Sequence, residues 1–252
     1  MGKLFDKEYL QDVFQRIGAR LGRKTTAFVL GGGAMCFRNQ KTGTKDLDIV
    51  FRDDTDAKTF SDCAKKEGFA SPARLADAYQ MMKAYDILED SAEFRFDIFS
   101  KKVCGALALS KDMIARAEEF GSFGKLEVRL VSNEDVILFK GITERARDVD
   151  DIAAVARSSN IDWQIILDEC KDQSSMESWY GLLYNKFVEI ETKHGISAPI
   201  MNDLLKLDRQ SVLEEAYKRL LSGTSKQEAL KELRKRGFSK KELELLLEGK
   251  MG

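Results

Sequence analysis

Residues 27–51 read AFVLGGGAMCFRNQKTGTKDLDIVF, and no other stretch limits the possible folds as much. A short apolar run ends in three consecutive glycines, which predicts a buried strand breaking into a tight turn. After a polar loop, DLDIVF (46–51) alternates acid and apolar residues at the period of a strand. That period sets Asp46 and Asp48 on one face and Leu47, Ile49 and Phe51 on the other. Carboxylates held so close repel, and each raises the other's pKa unless a cation sits between them. A hard, oxygen-ligated ion, Mg²⁺ or Mn²⁺, would remove the repulsion. A tight turn before an exposed strand would need no ion, so the rest of the chain has to decide.

The segment EFRFDIFS (93–100) extends the pattern. Phe94, Phe96 and Ile98 share one face, and Asp97 lies on the other with Arg95 and Phe99. An aspartate in so apolar a strand is costly without a partner. YQMMKAYDIL (79–88) is expected to pair with it as a hairpin through the acidic turn EDSA, and KLEVRLVS (125–132) is a further strand. Helices are expected at 4–22, at 56–69 closing on Gly68, and at 110–121 with Ser110 as N-cap. Ser132 and Asp135 resemble a capping pair. Beyond them only helix is expected: 133–145, 148–158, 162–172, 175–194, 198–206, 209–222, 225–236 and 239–248. The chain therefore reads as α+β: a small mixed β-sheet with flanking helices over 1–158, then an all-α C-terminal domain over 159–252, divided near 156–162.

Composition narrows the chemistry. With 41 basic and 42 acidic side chains in 252 residues, the net charge of −1 makes no global claim on nucleic acid. The four cysteines are scattered with no C-x-x-C, which suggests reduced core thiols in a cytoplasmic protein, neither zinc site nor disulfide framework. His194 is the only histidine and sits where a helix should end at Gly195, a place for helix termination more than for catalysis. Neither a Walker A sequence nor a G-x-G-x-x-G fingerprint follows the glycines. The start of the chain does not pattern as a secretory leader, and no apolar run approaches the roughly 18 residues of a membrane span, so no membrane partner is expected.

GGGAMCFR with TKDLDIVF resembles the glycine turn and D-x-D signature of the nucleotidyltransferase superfamily, the DNA-polymerase-beta-like fold. More narrowly, Gly-Gly-x-Ala with Thr-Lys-Asp-x-Asp is similar to the branch containing the AbiEii-type toxins and their bacterial and archaeal relatives. EDVILFKGITERARDVDDIAAV (134–155) matches that branch's downstream lysine and its Arg-x-x-Asp-like helix start, through Lys140, Arg145, Arg147, Asp148 and Asp151. The resemblance covers about residues 25–155 and nothing specific beyond Arg157.

It implies a transfer of NMP from an NTP to an acceptor hydroxyl, with Asp46, Asp48 and Asp97 as metal ligands and catalytic carboxylates. Asp46 and Asp48 would hold two Mg²⁺ (or Mn²⁺) ions, and Asp97 would share the ion nearer the acceptor. Gly31, Gly32 and Gly33 would receive the phosphates, with Arg38, Thr44, Lys45 and Lys140 as further nucleotide contacts; Lys140 would also offset charge on the departing pyrophosphate. Arg147, Asp148 and Asp151 are further candidates, although both aspartates would be stabilised at a helix start by the dipole alone. The superfamily's Gly-Ser is Gly-Gly here, which leaves that contact to the backbone and to Arg38 or Thr44.

The acceptor stays open. A toxin-like enzyme would modify RNA, above all tRNA, and would be expected to have an antitoxin-like partner. Transfer to a small molecule or a protein is a second reading, and a silent nucleotide-binding scaffold a third. The tail bears on this choice: from Lys226 to Lys241 there are seven basic residues against two acids, in what reads as a basic helical hairpin that RNA could cross.

Overall fold

Parallel and antiparallel pairing meet in one sheet, and that mixture brings the aspartates together. The computed structural model describes residues 3–72, 82–174, 178–239, 241, 242 and 244. Helix α1 (Lys7–Arg20) is capped by Asp6, whose carboxylate accepts the Tyr9 N–H. It buries Leu10, Val13, Phe14 and Ile17, as the opening periodicity predicts. Strand β1 (Thr25–Val29) runs straight into α2 (Gly31–Phe37), then β2 (Asp46–Phe51) and α3 (Asp54–Lys66). Strands β3 (Asp86–Glu89) and β4 (Arg95–Ser100) form the expected hairpin, of which residues 79–81 lie outside the described residues. The two-residue strands β5 (Lys102–Val103) and β6 (Leu107–Ala108) follow, then α4 (Lys111–Arg116), β7 (Glu118–Phe123) and β8 (Leu126–Leu130). Among the described residues the sheet has eight strands in the order β6-β5-β4-β2-β1-β8-β7, with β3 also on β4. The β1–β8 and β2–β4 pairs are parallel.

The helical part comprises α5 (Asn133–Gly141), α6 (Arg147–Ser158), α7 (Trp163–Gln173), α8 (Tyr180–His194), α9 (Met201–Leu221) and α10 (Lys226–Lys235). Ser132 caps α5 by accepting the Asp135 N–H, and α8 stops at Gly195, whose φ of 66° few other residues adopt cheaply. The mixed sheet with flanking and C-terminal helices is the α+β architecture read from the sequence.

Several details differ from expectation. The helix expected over 110–121 ends at Arg116, and 118–123 is strand β7, paired antiparallel to β8. Aromatic packing decides this: Phe120 and Phe123 lie against Phe37 and Phe14, a pattern that a continuing helix would break. Gly18 lets α1 settle on this hairpin, since a Cβ there would lie 1.8 Å from the Phe123 carbonyl oxygen. The helix expected to reach residue 145 stops at Gly141, and the helices expected at 198–206 and 209–222 are one 21-residue helix, α9. No proline or glycine interrupts residues 201–221, so nothing breaks it. Residues 175–177, expected to begin a helix, and most of the 239–248 helix lie outside the described residues.

Buried apolar side chains form one cluster from Phe5 to Leu204, so α7 and α8 pack on the same core as the sheet. A small second cluster, Ala216, Leu233 and Phe238, joins α9 to α10. Trp179 is buried, and Trp163 and Tyr180 pack against the main cluster, as core residues should. Among the cysteines, Cys36, Cys63 and Cys170 are buried, but Cys104 is exposed. Among the described residues no helix is long and apolar enough to cross a membrane.

Candidate active site

Register places the acids. In the parallel β2–β4 pair, Asp46 stands opposite Arg95 and Asp48 opposite Asp97. All four side chains therefore share one face of two adjacent strands. Arg95 binds both neighbours: its Nε donates to Asp97 Oδ1 at 2.7 Å, and Nη2 to Asp97 Oδ2 at 3.0 Å and Asp46 Oδ2 at 2.7 Å. Among the described residues no side chain hydrogen-bonds Asp48. Burial, with Asp46 and Asp97 nearby, raises the Asp48 pKa to about 7. Burial also raises Asp97, although Arg95 pulls the other way.

Gly31, just beyond the end of β1, borders the apolar cleft with Asp48. It adopts φ +59°, and a Cβ there would lie 2.8 Å from Asp48 Oδ2, so only glycine fits beside that carboxylate. Gly32 faces Thr44 Oγ1, 3.0 Å from where its Cβ would be. Gly33 is turned into the core against Leu47 and borders neither cleft of the site. Thr44 is buried and spends its hydroxyl on the Asp46 carbonyl oxygen at 2.7 Å. Arg38 lies elsewhere: its guanidinium donates to Glu118 and to the Val131 carbonyl oxygen, anchoring α2 to β7 and β8.

Lys140 is buried and already matched. Its Nζ lies 2.8 Å from Asp148 Oδ1 and 2.7 Å from Asp151 Oδ2, and Lys41 adds a second contact to Asp151 at 2.9 Å. Burial alone would lower Lys140, but Asp148 and Asp151 outweigh it and hold its pKa above the ordinary range. Two cations and two carboxylates here sum to zero. Asp148 and Asp151 thus tie the start of α6 to α5, a structural task; Thr143 supplies a further hydrogen bond to Asp148.

Two clefts meet at Asp48, Lys140 and Arg145. One, of about 140 Å³, is largely apolar, with Leu30, Met82, Val103, Phe139 and Ile142 in its wall and Cys104 at its edge. The other, of about 270 Å³, is polar and includes Gly32, Thr44, Lys45, Asp46, Arg145 and Arg147. Lys45, Arg145 and Arg147 enter no ion pair within 4 Å among the described residues, and Arg145 lies near enough to act on Asp48 and Asp97. Arg145 and Arg95 carry more of the site's electrostatics than the sequence reading gave them. The signal for Arg95 was its position two residues before Asp97, which fixes a shared face.

The comparison with known families matches the Nucleotidyltransferase of unknown function (DUF6036) profile over residues 8–194. The chain belongs to this nucleotidyltransferase family. The match takes in the whole sheet, the glycine turn, all three aspartates, Lys140 and all of both clefts but Leu4, and ends with α8. Among curated proteins nothing matches the chain.

His194 lies outside the clefts and contacts Asp150 at 2.8 Å near the end of α8, the helix-terminal place its sequence context suggested.

Proposed function

We propose that the protein is a metal-dependent nucleotidyltransferase that moves NMP from an NTP to an acceptor hydroxyl. One observation carries the reading: Asp48, where an apolar and a cationic cleft meet, stands opposite the buried Asp97 on the adjacent strand, with Asp46 beside it in the cationic cleft. The donor set suits a hard divalent cation. Three carboxylates and one guanidinium leave a charge of −2, and the raised pKa of Asp48 marks how poorly that charge is offered to water or protein. Mg²⁺ or Mn²⁺ bound to Asp46 and Asp48 would supply positive charge to the triphosphate and acidify the acceptor hydroxyl.

The chain's own residues do the rest. Lys45, Arg145 and Arg147 receive phosphate oxygens, and Gly31 and Gly32 let those oxygens approach the backbone. The apolar cleft offers Leu30, Met82 and Ile142 to the face of a base. Lys140 contributes chiefly by holding α6, and with it Arg145 and Arg147, in place. For the acceptor we favour RNA, because α10 ends in Arg234, Lys235 and Arg236 beside the Gly237 turn.

Incubation with Mg²⁺, each labelled NTP in turn and total cellular RNA tests this reading. Label from one NTP is expected on RNA, lost with EDTA and in Asp48→Asn. Label on protein or small molecules would move the acceptor; no transfer to anything, with no metal-dependent nucleotide binding by calorimetry, would overturn the enzymatic reading.

A further inference from the structure

A centre holding two ions on three carboxylates needs all three to turn toward the ions, and Arg95 opposes that. It engages both oxygens of Asp97, Oδ1 through Nε and Oδ2 through Nη2, so a metal there would compete with a two-point salt bridge. The same Nη2 takes one oxygen of Asp46, on the face that Asp46 shares with Asp48. The pair is sheltered, with side-chain exposures of 14% for Arg95 and 2% for Asp97, so pulling Arg95 away would strand a buried carboxylate. Among the described residues no three acidic, histidine or cysteine side chains already converge as a ligand set. Charge gives the same answer. The −2 of the three aspartates and Arg95 is neutralised by one divalent ion, whereas two would leave these groups at +2 before any phosphate arrives, with the Arg145 guanidinium beside Asp48 adding to the excess.

Resting on the nucleotidyltransferase reading, we propose that Arg95 is the site's resident second cation and Asp97 its anchor. The protein alone then binds one divalent ion, on Asp46 and Asp48. In this arrangement Asp97 is a positioning residue: it fixes the guanidinium that takes the place of a second ion and aims Asp46.

Mn²⁺ alone, without nucleotide, is the probe. Free Mn²⁺ is measured by electron paramagnetic resonance as folded protein is titrated, and the bound ions per chain are counted. Wild type is expected to bind one ion. Arg95→Gln frees Asp97 and is expected to bind two; Arg95→Lys keeps a cation and is expected to bind one. Asp97→Asn is expected to keep its single ion. Two ions on wild type, loss of the ion in Asp97→Asn, or a single ion on folded Arg95→Gln would each overturn the proposal. If Arg95→Gln does not fold, the Asp97→Asn count decides. Failure of the underlying reading looks different: no ion on wild type, or full retention in Asp48→Asn.

Discussion

Replacing Asp48 with asparagine is expected to stabilise the metal-free protein, and to do so by an amount that depends on pH. The folded protein holds the Asp48 carboxyl with a pKa of about 7, against the ordinary value of 3.8. A group raised in this way keeps its proton in the fold at pH values where the unfolded chain has lost it. The folded state then binds more protons, and its stability falls as pH rises from about 4 to about 7. At about 1.4 kcal/mol for each pH unit, the penalty is at most of order 4 kcal/mol above pH 7 and less than half of that at pH 5, since Asp48 is only partly buried. These are upper figures, because Asp46 and Asp97 share the repulsion. Asparagine removes the charge while keeping the shape. The advantage of Asp48→Asn should thus grow by about 2 kcal/mol between pH 5 and pH 8, roughly 4–8 °C in melting temperature for a chain of this size. Thermal melts in EDTA at the two pH values read it directly. Millimolar Mn²⁺ should raise the wild-type melting temperature and leave the variant unmoved. An Asp48→Asn protein less stable than wild type in EDTA at pH 8, or an advantage equal at both pH values, would refute the electrostatic account.

Three other outcomes follow from the geometry. Lys140→Met leaves Asp148 and Asp151 short of their buried cation and should cost about 3–5 kcal/mol by urea unfolding, with much of the loss recovered in Lys140→Met/Asp148→Asn. Gly31→Ala forces φ +59° on an alanine and pushes its Cβ against Asp48; a cost of about 1–2 kcal/mol is expected, with a larger proportional loss of nucleotidyl transfer than of stability. Removing residues 223–252 should leave NTP affinity unchanged by calorimetry while reducing labelling of RNA and flattening its salt dependence; unchanged labelling would exclude the tail from acceptor binding.

Much of this site was legible from residue order because it rests on period two. DLDIVF and RFDIFS became β2 and β4 with the faces that alternation requires, so Asp46, Asp48 and Asp97 could be grouped before their strands were known to touch. Arg95 could be put on the face of Asp97 in the same way, but its hold on Asp46 depends on the parallel register, which no local pattern encodes. Lys140 illustrates a different limit. An apolar helix with one lysine suggests either a surface residue or a ligand, and only the turn of chain into α6 reveals two aspartates waiting for it. Within 110–121, EEFG carries helix formers, but where Phe120 and Phe123 pack makes it a strand. The glycines, indistinguishable as letters, have three separate tasks: Gly31 abuts Asp48, Gly32 abuts Thr44, and Gly33 seats Leu47.

The parallel pairing of β2 with β4 also sets when the centre can exist during synthesis. Asp46 and Arg95 are 49 residues apart in the chain, and β4 closes only with Ser100. A nascent chain that has emerged through β2 displays two aspartates with neither the guanidinium that steadies them nor the carboxylate that anchors it. Lys140 and its partners arrive later still, with Asp151. Loop closure over such distances is slow compared with forming a helix. Half-made chains therefore lack Arg145 and Arg147 of the cationic wall and have no fixed acidic floor. Competence comes only after the last of these distant contacts forms.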